Sequence, residues 1–479
     1  MPHRRVRLSV DGPLLRDGFE AIRTELHVPG AFPPEVLAAA AQAAAHWSPA
    51  MSTAPDQTDV PYLTIDPPGS MDLDQAMHIA RNGAGYRVQY AIADVAAFVS
   101  TGDPVDVEAH ARGETLYSPD MRTPLHPPAI GEGAASLLPN QIRPALVWTI
   151  DLDADGRQTA VDVKRAVVRS VSRLNYSQAQ QLIDAKTGAG AADGTLALLA
   201  EVGRLRQSLE VERGAVSLRL PEQEVDADGS GFRLRYRAPL PVEDWNAQIS
   251  LLTGMAAAGI MLGANVGILR TLPPADAGAI GLLHRVAHAL GIAWPKHQTY
   301  QAFVRALDPA TDAGAALIEL STRLLRGAGY TAFDGSPPVQ PNHSAVAAPY
   351  AHATAPLRRL VDRYVGELCV AVCAHLDVPP WIREALPALP DVMADSGHKA
   401  HALERACIDL VETVMLAAHV GETFEGGVVE TMKHGGIVQL RTPPVRARCE
   451  AEGLLLGARI DVRLTTADPA TRTLLFVPA

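Results

Sequence analysis

The spacing of apolar residues changes along the chain, and each change marks a predicted element. Leu14, Leu15, Phe19, Ile22 and Leu26 recur at helical intervals and predict an amphipathic helix. His27 to Pro33 interrupts it. Pro34 then opens an alanine-rich helix to about Trp47, with proline where a first turn tolerates it. The pair has the outline of a helix-turn-helix. No Lys or Arg occurs from 24 to 80, however, so a packing or interaction module is expected rather than a DNA reader. A linker rich in Pro, Ser, Thr and Asp covers 48–59.

Shorter, β-rich runs follow. Val60, Tyr62, Leu63 and Ile65 predict a strand running into Asp66, where Pro67, Pro68 and Gly69 force a turn. Tyr86 to Ile92 predicts a strand after the Asn82-Gly83 turn, and Asp94 starts a short helix. Pro119, Pro124, Pro127 and Pro128 mark an irregular loop. Ala145 to Leu152 and Gln158 to Val168 flank the turn Asp153 to Gly156 as a hairpin. Helical spacing returns at Ser177 to Lys186 and Thr195 to Arg213, with Gly188 and Gly214 as stops. It dominates from Val242 to about Gly329, and again near 355–376 and 395–418. In the last 59 residues, Phe424 to Thr431, Gly436 to Leu440, Ile460 to Leu464 and Thr473 to Val477 predict a small β-barrel of OB type.

The fold class is therefore α+β. A helical module at 1–54 precedes a mixed α/β domain at 55–418 and an OB-type barrel at 419–479. The run from Trp245 to Leu269 carries no charge and could span a bilayer by length. Its Asn, Gln, Ser, Thr and four Gly residues favour a buried core helix instead. With no sustained apolar run at the N-terminus, the reading is a cytoplasmic protein with no membrane partner.

Composition adds limits. A hydrophobic share of 47% and a charged share of 20% describe an ordinary globular chain. A net charge of −11 excludes a histone-like polybasic binder but leaves room for a local basic channel. Aromatic content of 5% means that any stacking platform rests on few rings. Cys369, Cys373, Cys407 and Cys449 make no disulfide framework. The first two, one helical turn apart, read as a buried apolar pair.

The chemistry concentrates at Thr64 to Ala76, TIDPPGSMDLDQA. Asp72 and Asp74 share a face if that segment is extended, and both follow closely on Asp66. Carboxylates so close repel unless one is protonated or a cation joins them, and hard oxygens suit Mg²⁺ or Mn²⁺. The alternative is an acidic surface loop. A second constellation is Pro349 to Tyr364, where Pro356 predicts a helix start with Arg358 and Arg359 in the first turn. That pair reads either as a phosphate contact or as a salt-bridge cluster with Asp362. His284 with His288, and His398 with His401, have metal-like spacing but no supporting acid and read as ordinary helix faces. Tyr117 lies beside the proline-rich loop. Taken alone it is a half-buried ring, and beside an RNA channel it is a candidate for base stacking.

Together these stretches resemble the ribonuclease II and ribonuclease R (RNB) exoribonucleases. The resemblance rests on TIDPPGSMDLDQA, YAIADVAAFV at 90–99, ARGETLYSPD at 111–120 and SLLPNQIRP at 136–144. VEDWNAQ at 242–248, YAHATAPLRRLVDRY at 350–364 and LERACIDL at 403–410 extend it in unbroken order, and GETFEGGVVETMKHGGIVQL at 421–440 resembles an RNA-binding S1 domain. The chain looks like a compact member without the tandem cold-shock domains of larger relatives. The resemblance implies processive 3′-to-5′ hydrolysis of single-stranded RNA to nucleoside 5′-monophosphates, and a monomer is expected. It implies metal ligation by Asp66, Asp72 and Asp74, with Gln75 where the family usually has a fourth aspartate. It assigns Arg358 to the scissile phosphate and Tyr117 to the terminal nucleotide, with Glu404 and Glu243 or Asp244 as further RNA contacts, beside the phosphate contact that the residues themselves suggest for Arg359. Two rivals are weighed: a non-catalytic RNA-binding protein, which Gln75 favours, and a phosphatase acting on small substrates.

Overall fold

The computed structural model describes residues 6–8, 13–185, 191–218, 222–228, 231–237, 239–309, 311–443 and 445–479. The predicted helix stop at Gly188 and the end of the helix at Lys186 lie outside them.

The β-rich runs close into two five-stranded barrels. The first comprises β1 (Tyr62–Ile65), β2 (Gln75–Asn82), β3 (Gly85–Ala93), β4 (Ile142–Leu152) and β5 (Gln158–Leu174). Neighbours pair antiparallel in chain order. Parallel pairing of Tyr62 with Ser170 and Thr64 with Arg173 closes the ring. Alternation explains why these strands are apolar almost throughout. Tyr86, Val88, Tyr90 and Ile92 join the main core with Leu146, Trp148 and Ile150, while Ala91, Ala93, Ala145 and Val147 pack into another core on the opposite face. The predicted 145–168 hairpin forms and is longer at both ends. β2 is missing from the sequence reading because its polar residues, His78 and Arg81, break the apolar run.

Seven helices matter for the site: α1 (Pro13–Glu25), α2 (Pro34–His46), α3 (Pro104–Arg112), α4 (Ala191–Arg213), α5 (Pro241–Ala264), α6 (Leu360–Cys373) and α7 (Leu389–Leu416). The uncharged run forms α5. Val242, Trp245, Ile249, Leu252 and Met261 bury it in the main core, as the sequence predicts, although its length and composition would also suit a membrane span.

The second barrel comprises β6 (Thr423–Met432), β7 (Gly435–Leu440), β8 (Arg446–Cys449), β9 (Arg459–Asp468) and β10 (Thr473–Pro478), in the order β6-β7-β8-β10-β9. β8 is again a strand that the sequence reading lacks. The barrel's interior, with Val428, Val438, Val462 and Phe476, shares one core with Leu403, Cys407 and Leu410 of α7 and Leu15, Phe19 and Ile22 of α1. Gly18 lets α1 approach closely, since a Cβ there would lie 2.5 Å from Leu410 Cδ2. α2 instead places Val36 and Ala40 against Val95, Phe98 and Leu137 beside the first barrel. The two N-terminal helices form where predicted, and each joins a different core.

Candidate active site

The site is assembled at one rim of the first barrel. β1 ends at Ile65, and the Asp66 N–H donates to the Leu174 carbonyl at 3.0 Å, fixing where the chain leaves the barrel. Gly69, at φ 83°, supplies the left-handed turn that follows the two prolines. The returning segment is pinned by Ser136, whose Oγ accepts from Leu73 N at 2.9 Å and donates to the Met71 carbonyl at 2.6 Å. Leu137 N bonds the Leu73 carbonyl at 3.0 Å, and Ala93 N bonds that of Asp74 at 2.9 Å. Asp72 and Asp74 thus precede β2 in a tethered loop rather than lying on a strand, and they meet different partners.

Asp74 receives two donors from a segment nearly three hundred residues later. Leu357 N donates to its Oδ1 at 2.7 Å, and Arg358 Nε to its Oδ2 at 2.6 Å. The predicted placement of both arginines in a helical first turn is not what forms. Residues 358–360 run alongside Gly113 to Thr115, with Thr115 N bonded to the Arg358 carbonyl at 2.8 Å and Leu360 N to the Gly113 carbonyl at 2.9 Å. That pairing holds Arg359 extended, at φ −136° and ψ 128°, so α6 starts only at Leu360. Asp362 then turns back, accepting from Ala355 N at 2.7 Å and from Arg359 through two bonds of 2.8 and 2.9 Å. The salt-bridge reading therefore holds for Arg359, whose guanidinium Asp362 occupies. Arg358 is the arginine brought to the aspartates.

A third element is the short hairpin of Leu116–Tyr117 with Arg122–Thr123, in which Tyr117 stands opposite Arg122. Arg122 donates to Asp72 and, at 2.7 Å, to Glu132. Arg23 of α1 holds the hairpin's tip through Asp120 at 2.8 Å and Ser118 at 3.0 Å. The Tyr117 ring is 48% exposed, and its phenol acts electrostatically on both Arg122 and Arg358. The sequence reading has neither Arg122 nor Ser136 as a site residue. Arg122's position opposite Tyr117 in a four-residue-turn hairpin is the one local signal for it.

Electrostatics separate this rim from an ordinary acidic surface. Asp74 is 1% exposed, and burial pushes its carboxyl up to about 7 against the pull of Arg358. Burial also pushes Asp66 up to about 6, with Asp72 adding repulsion and Arg358 opposing it. Asp66 Oδ2 is buried without a hydrogen-bond partner. Arg358 keeps 33% of its side chain exposed, so it faces solvent while holding Asp74.

Among the described residues, no group of three His, Cys, Asp or Glu side chains is gathered closely enough to hold a metal ion. The expected three-carboxylate clasp is thus not drawn together, because guanidinium and peptide donors take the oxygens of Asp72 and Asp74. The expected help from Gln75 is redirected as well: its carbonyl accepts from the Tyr90 hydroxyl and, at 3.4 Å, from Ser250. The donor chemistry nevertheless fits a hard divalent cation, since Asp66 offers a buried oxygen with no partner and Asp72 acts electrostatically on both Asp66 and Asp74.

The remaining candidates stand differently. The Glu243 carboxylate accepts from Leu240 N at 2.8 Å and caps α5, and Asp244 beside it is exposed. Glu404 lies on α7 at 4.0 Å from His401. His284 stacks on Trp294 with ring centroids 4.8 Å apart, an ordinary packing role.

A closed barrel whose rim couples buried aspartates to an arginine from a distant loop, followed by a second small barrel, defines a two-barrel α+β protein with a carboxylate–arginine site. Residues 55–374 match the RNB domain and 422–479 match the RNase II-type exonuclease C-terminal S1 domain. The chain belongs to the RNB family. Ribonuclease R of Mycoplasma genitalium is 24% identical over 459 residues, covering 86% of this chain and 62% of that protein. The exosome complex exonuclease RRP44 homolog A of Arabidopsis thaliana is 25% identical over 402 residues, covering 80% of this chain and 43% of that protein. The chain thus spans only about half of these relatives' length. Among solved structures, Mycoplasma genitalium RNase R in complex with ribose-methylated single-stranded RNA superposes with a TM-score of 0.87 at 19% identity, covering 98% of this chain and 78% of that one. Yeast Ssd1, described as a pseudonuclease, superposes with a TM-score of 0.68 at 17% identity, covering 88% of this chain and 54% of that one.

Proposed function

We propose that the protein is a processive 3′-to-5′ exoribonuclease that hydrolyses single-stranded RNA to nucleoside 5′-monophosphates, acting as a cytoplasmic monomer. The observation that carries this reading is the junction of Asp74 with Leu357 N and Arg358 beside the unpartnered oxygen of Asp66. Asp66, Asp72 and Asp74 would hold a divalent cation, Mg²⁺ or alternatively Mn²⁺, which supplies Lewis-acid activation of water and charge neutralisation at the leaving 3′-oxygen.

The chain's own residues do the rest. Arg358, oriented through Nε by Asp74, presents its exposed side to the scissile phosphate and offsets the charge that develops there. The half-exposed Tyr117 ring, on a hairpin clamped by Arg23, stacks on the terminal base and sets the phosphate in line. Arg359 positions rather than binds: with Asp362 it fixes the turn that delivers Leu357 and Arg358. RNA is preferred over DNA through contacts to the 2′-hydroxyl. The second barrel adds affinity for the strand upstream.

A non-catalytic RNA-binding protein is the second reading. It is favoured by the ion-paired carboxylates and by a Gln75 carbonyl already accepting from Tyr90. Incubation of 5′-labelled single-stranded RNA with protein and Mg²⁺, repeated in EDTA, separates the two. A ladder shortening from the 3′ end, lost in EDTA, supports the exonuclease. A gel shift without cleavage supports the binder and overturns the proposal.

A further inference from the structure

At the opposite end of the first barrel lies a cleft of about 350 Å³ between the β4–β5 turn, α4 and α5. It is about 20–25 Å from the acidic rim, the span of β3 from its Ile92 end to its Gly85 end at the usual strand rise. Three arginines face into it. Arg157 comes from the turn, and Arg206 and Arg213 stand about two turns apart on α4, over a floor of Leu209 and Met255.

Arginine stays charged at any ordinary pH and carries five N–H donors, so a buried guanidinium needs acceptors on every side. Arg206 is only 5% exposed. Its Nη1 donates to the Gly156 carbonyl at 2.9 Å, but its Nε is buried with no partner. Arg213 Nη2 is likewise buried without a partner, and its Nε makes one long bond of 3.5 Å to the Val346 carbonyl. Two acids offset part of this charge without filling those donors: Glu212, also in the lining, is held by Arg157 at 2.7 Å and attracts Arg213, and Glu210, which attracts both Arg206 and Arg213, accepts from Gln248 and Ser217. Burial, with repulsion from Arg213 and Arg157, pushes Arg206 down to about 10. Clustered like charges with unsatisfied donors cost stability unless an anion joins them.

We propose that this cleft is a binding site for a phosphate dianion, held by the guanidinium groups of Arg206 and Arg213 that line it, with Arg157 at the mouth. Phosphate offers several acceptor oxygens and matches the guanidinium fork. The cleft exceeds the size of one phosphate, and its Leu209–Met255 floor leaves room for the organic part of a phosphate monoester. Inorganic phosphate and a nucleoside 5′-monophosphate are the two sources of that chemistry.

The test is calorimetric titration of the full-length protein, in EDTA at constant ionic strength, with inorganic phosphate and separately with adenosine 5′-monophosphate. Saturable one-site binding is expected, weakened roughly ten-fold or more by Arg206→Met or Arg213→Gln. Equal affinity for both probes assigns the site to free phosphate, and tighter nucleotide binding assigns it to a monoester. The partly exposed Arg213 covers the case in which Arg206→Met fails to fold. Asp74→Asn leaves this binding unchanged, which separates the site from the acidic rim. The proposal is overturned if neither probe binds at millimolar concentration, or if folded Arg213→Gln protein, checked by circular dichroism, binds both as tightly as the parent.

Discussion

The two barrels have the same number of strands, and both close through one parallel pair, β1 with β5 in the first and β8 with β10 in the second. They differ in where charge sits. Among the described residues of the second barrel no charged side chain is buried. Pairs such as Glu425 with Arg441 at 3.2 Å and Glu450 with Arg448 at 3.7 Å lie in solvent. Pairs of that kind contribute little to stability. Around the first barrel, Asp74, Asp94, Asp106, Asp362 and Arg363 are all buried, and Asp74 is joined to a loop far along the chain. Removing ions from water is costly, and the first barrel accepts that cost at one rim, where it fixes geometry and lifts carboxyl pKa values. Five strands and a closed ring are thus a shared scaffold, and buried charge is what distinguishes the barrel that carries the candidate site.

The comparison breaks most readily at Asp74. Asp74→Asn is expected to lower the single-turnover rate of RNA cleavage by at least ~10²-fold while leaving RNA affinity near that of the parent. Measured on 5′-labelled RNA with excess enzyme, cleavage at the parent rate would place the chemistry elsewhere.

Next in size is the buried support. Asp362→Ala leaves Arg359 without its carboxylate and Ala355 N without its acceptor, and should cost about 3–5 kcal/mol of unfolding free energy in urea. A loss below ~1 kcal/mol would mean that water reaches the pair and that the two barrels differ less than burial suggests.

A smaller effect is pH dependence without metal. Asp66 and Asp74 titrate in the folded protein at about 6 and about 7, above the ordinary value of 3.8. The folded state therefore binds protons more tightly than the unfolded chain between about pH 4 and pH 7. Their contribution to stability falls as pH rises through that window. Urea midpoints in EDTA should decline from pH 4.5 to pH 7.5 less steeply in Asp74→Asn than in the parent. Equal slopes would contradict the assignment.

The smallest change is expected on the second barrel. Arg448 keeps 56% of its side chain exposed. Arg448→Ala should weaken RNA binding a few-fold, more at low salt, without altering the single-turnover rate. A change in that rate would join the two barrels functionally.

Much of the fold is legible in the residues. The helical stripe of α1, the uncharged core run of α5 and the 145–168 hairpin all follow from period and turn chemistry. β2 and β8 do not, because polar residues on short strands hide their alternation, and only pairing on both sides makes them strands. At the site, proximity in sequence singles out Asp66, Asp72 and Asp74, and Arg358 comes with its motif. Of the two arginines that reading places in a helical first turn, Arg358 lies in a turn closed on the Ala355 carbonyl and Arg359 runs extended beside Gly113 to Thr115, a contact that local propensity cannot anticipate.

By itself the sequence determined which groups could do chemistry: three acids on a turn, two adjacent arginines and a tyrosine beside a proline-rich loop. Only the tertiary structure decided that Arg358 meets Asp74 while Arg359 is held by Asp362, that Gln75 bonds Tyr90, and that Arg122 takes Asp72. The reason is physical. A side chain's composition is local, but its partner and its burial depend on distant segments, 284 positions apart for Asp74 and Arg358, and those two quantities set its charge, its orientation and its role.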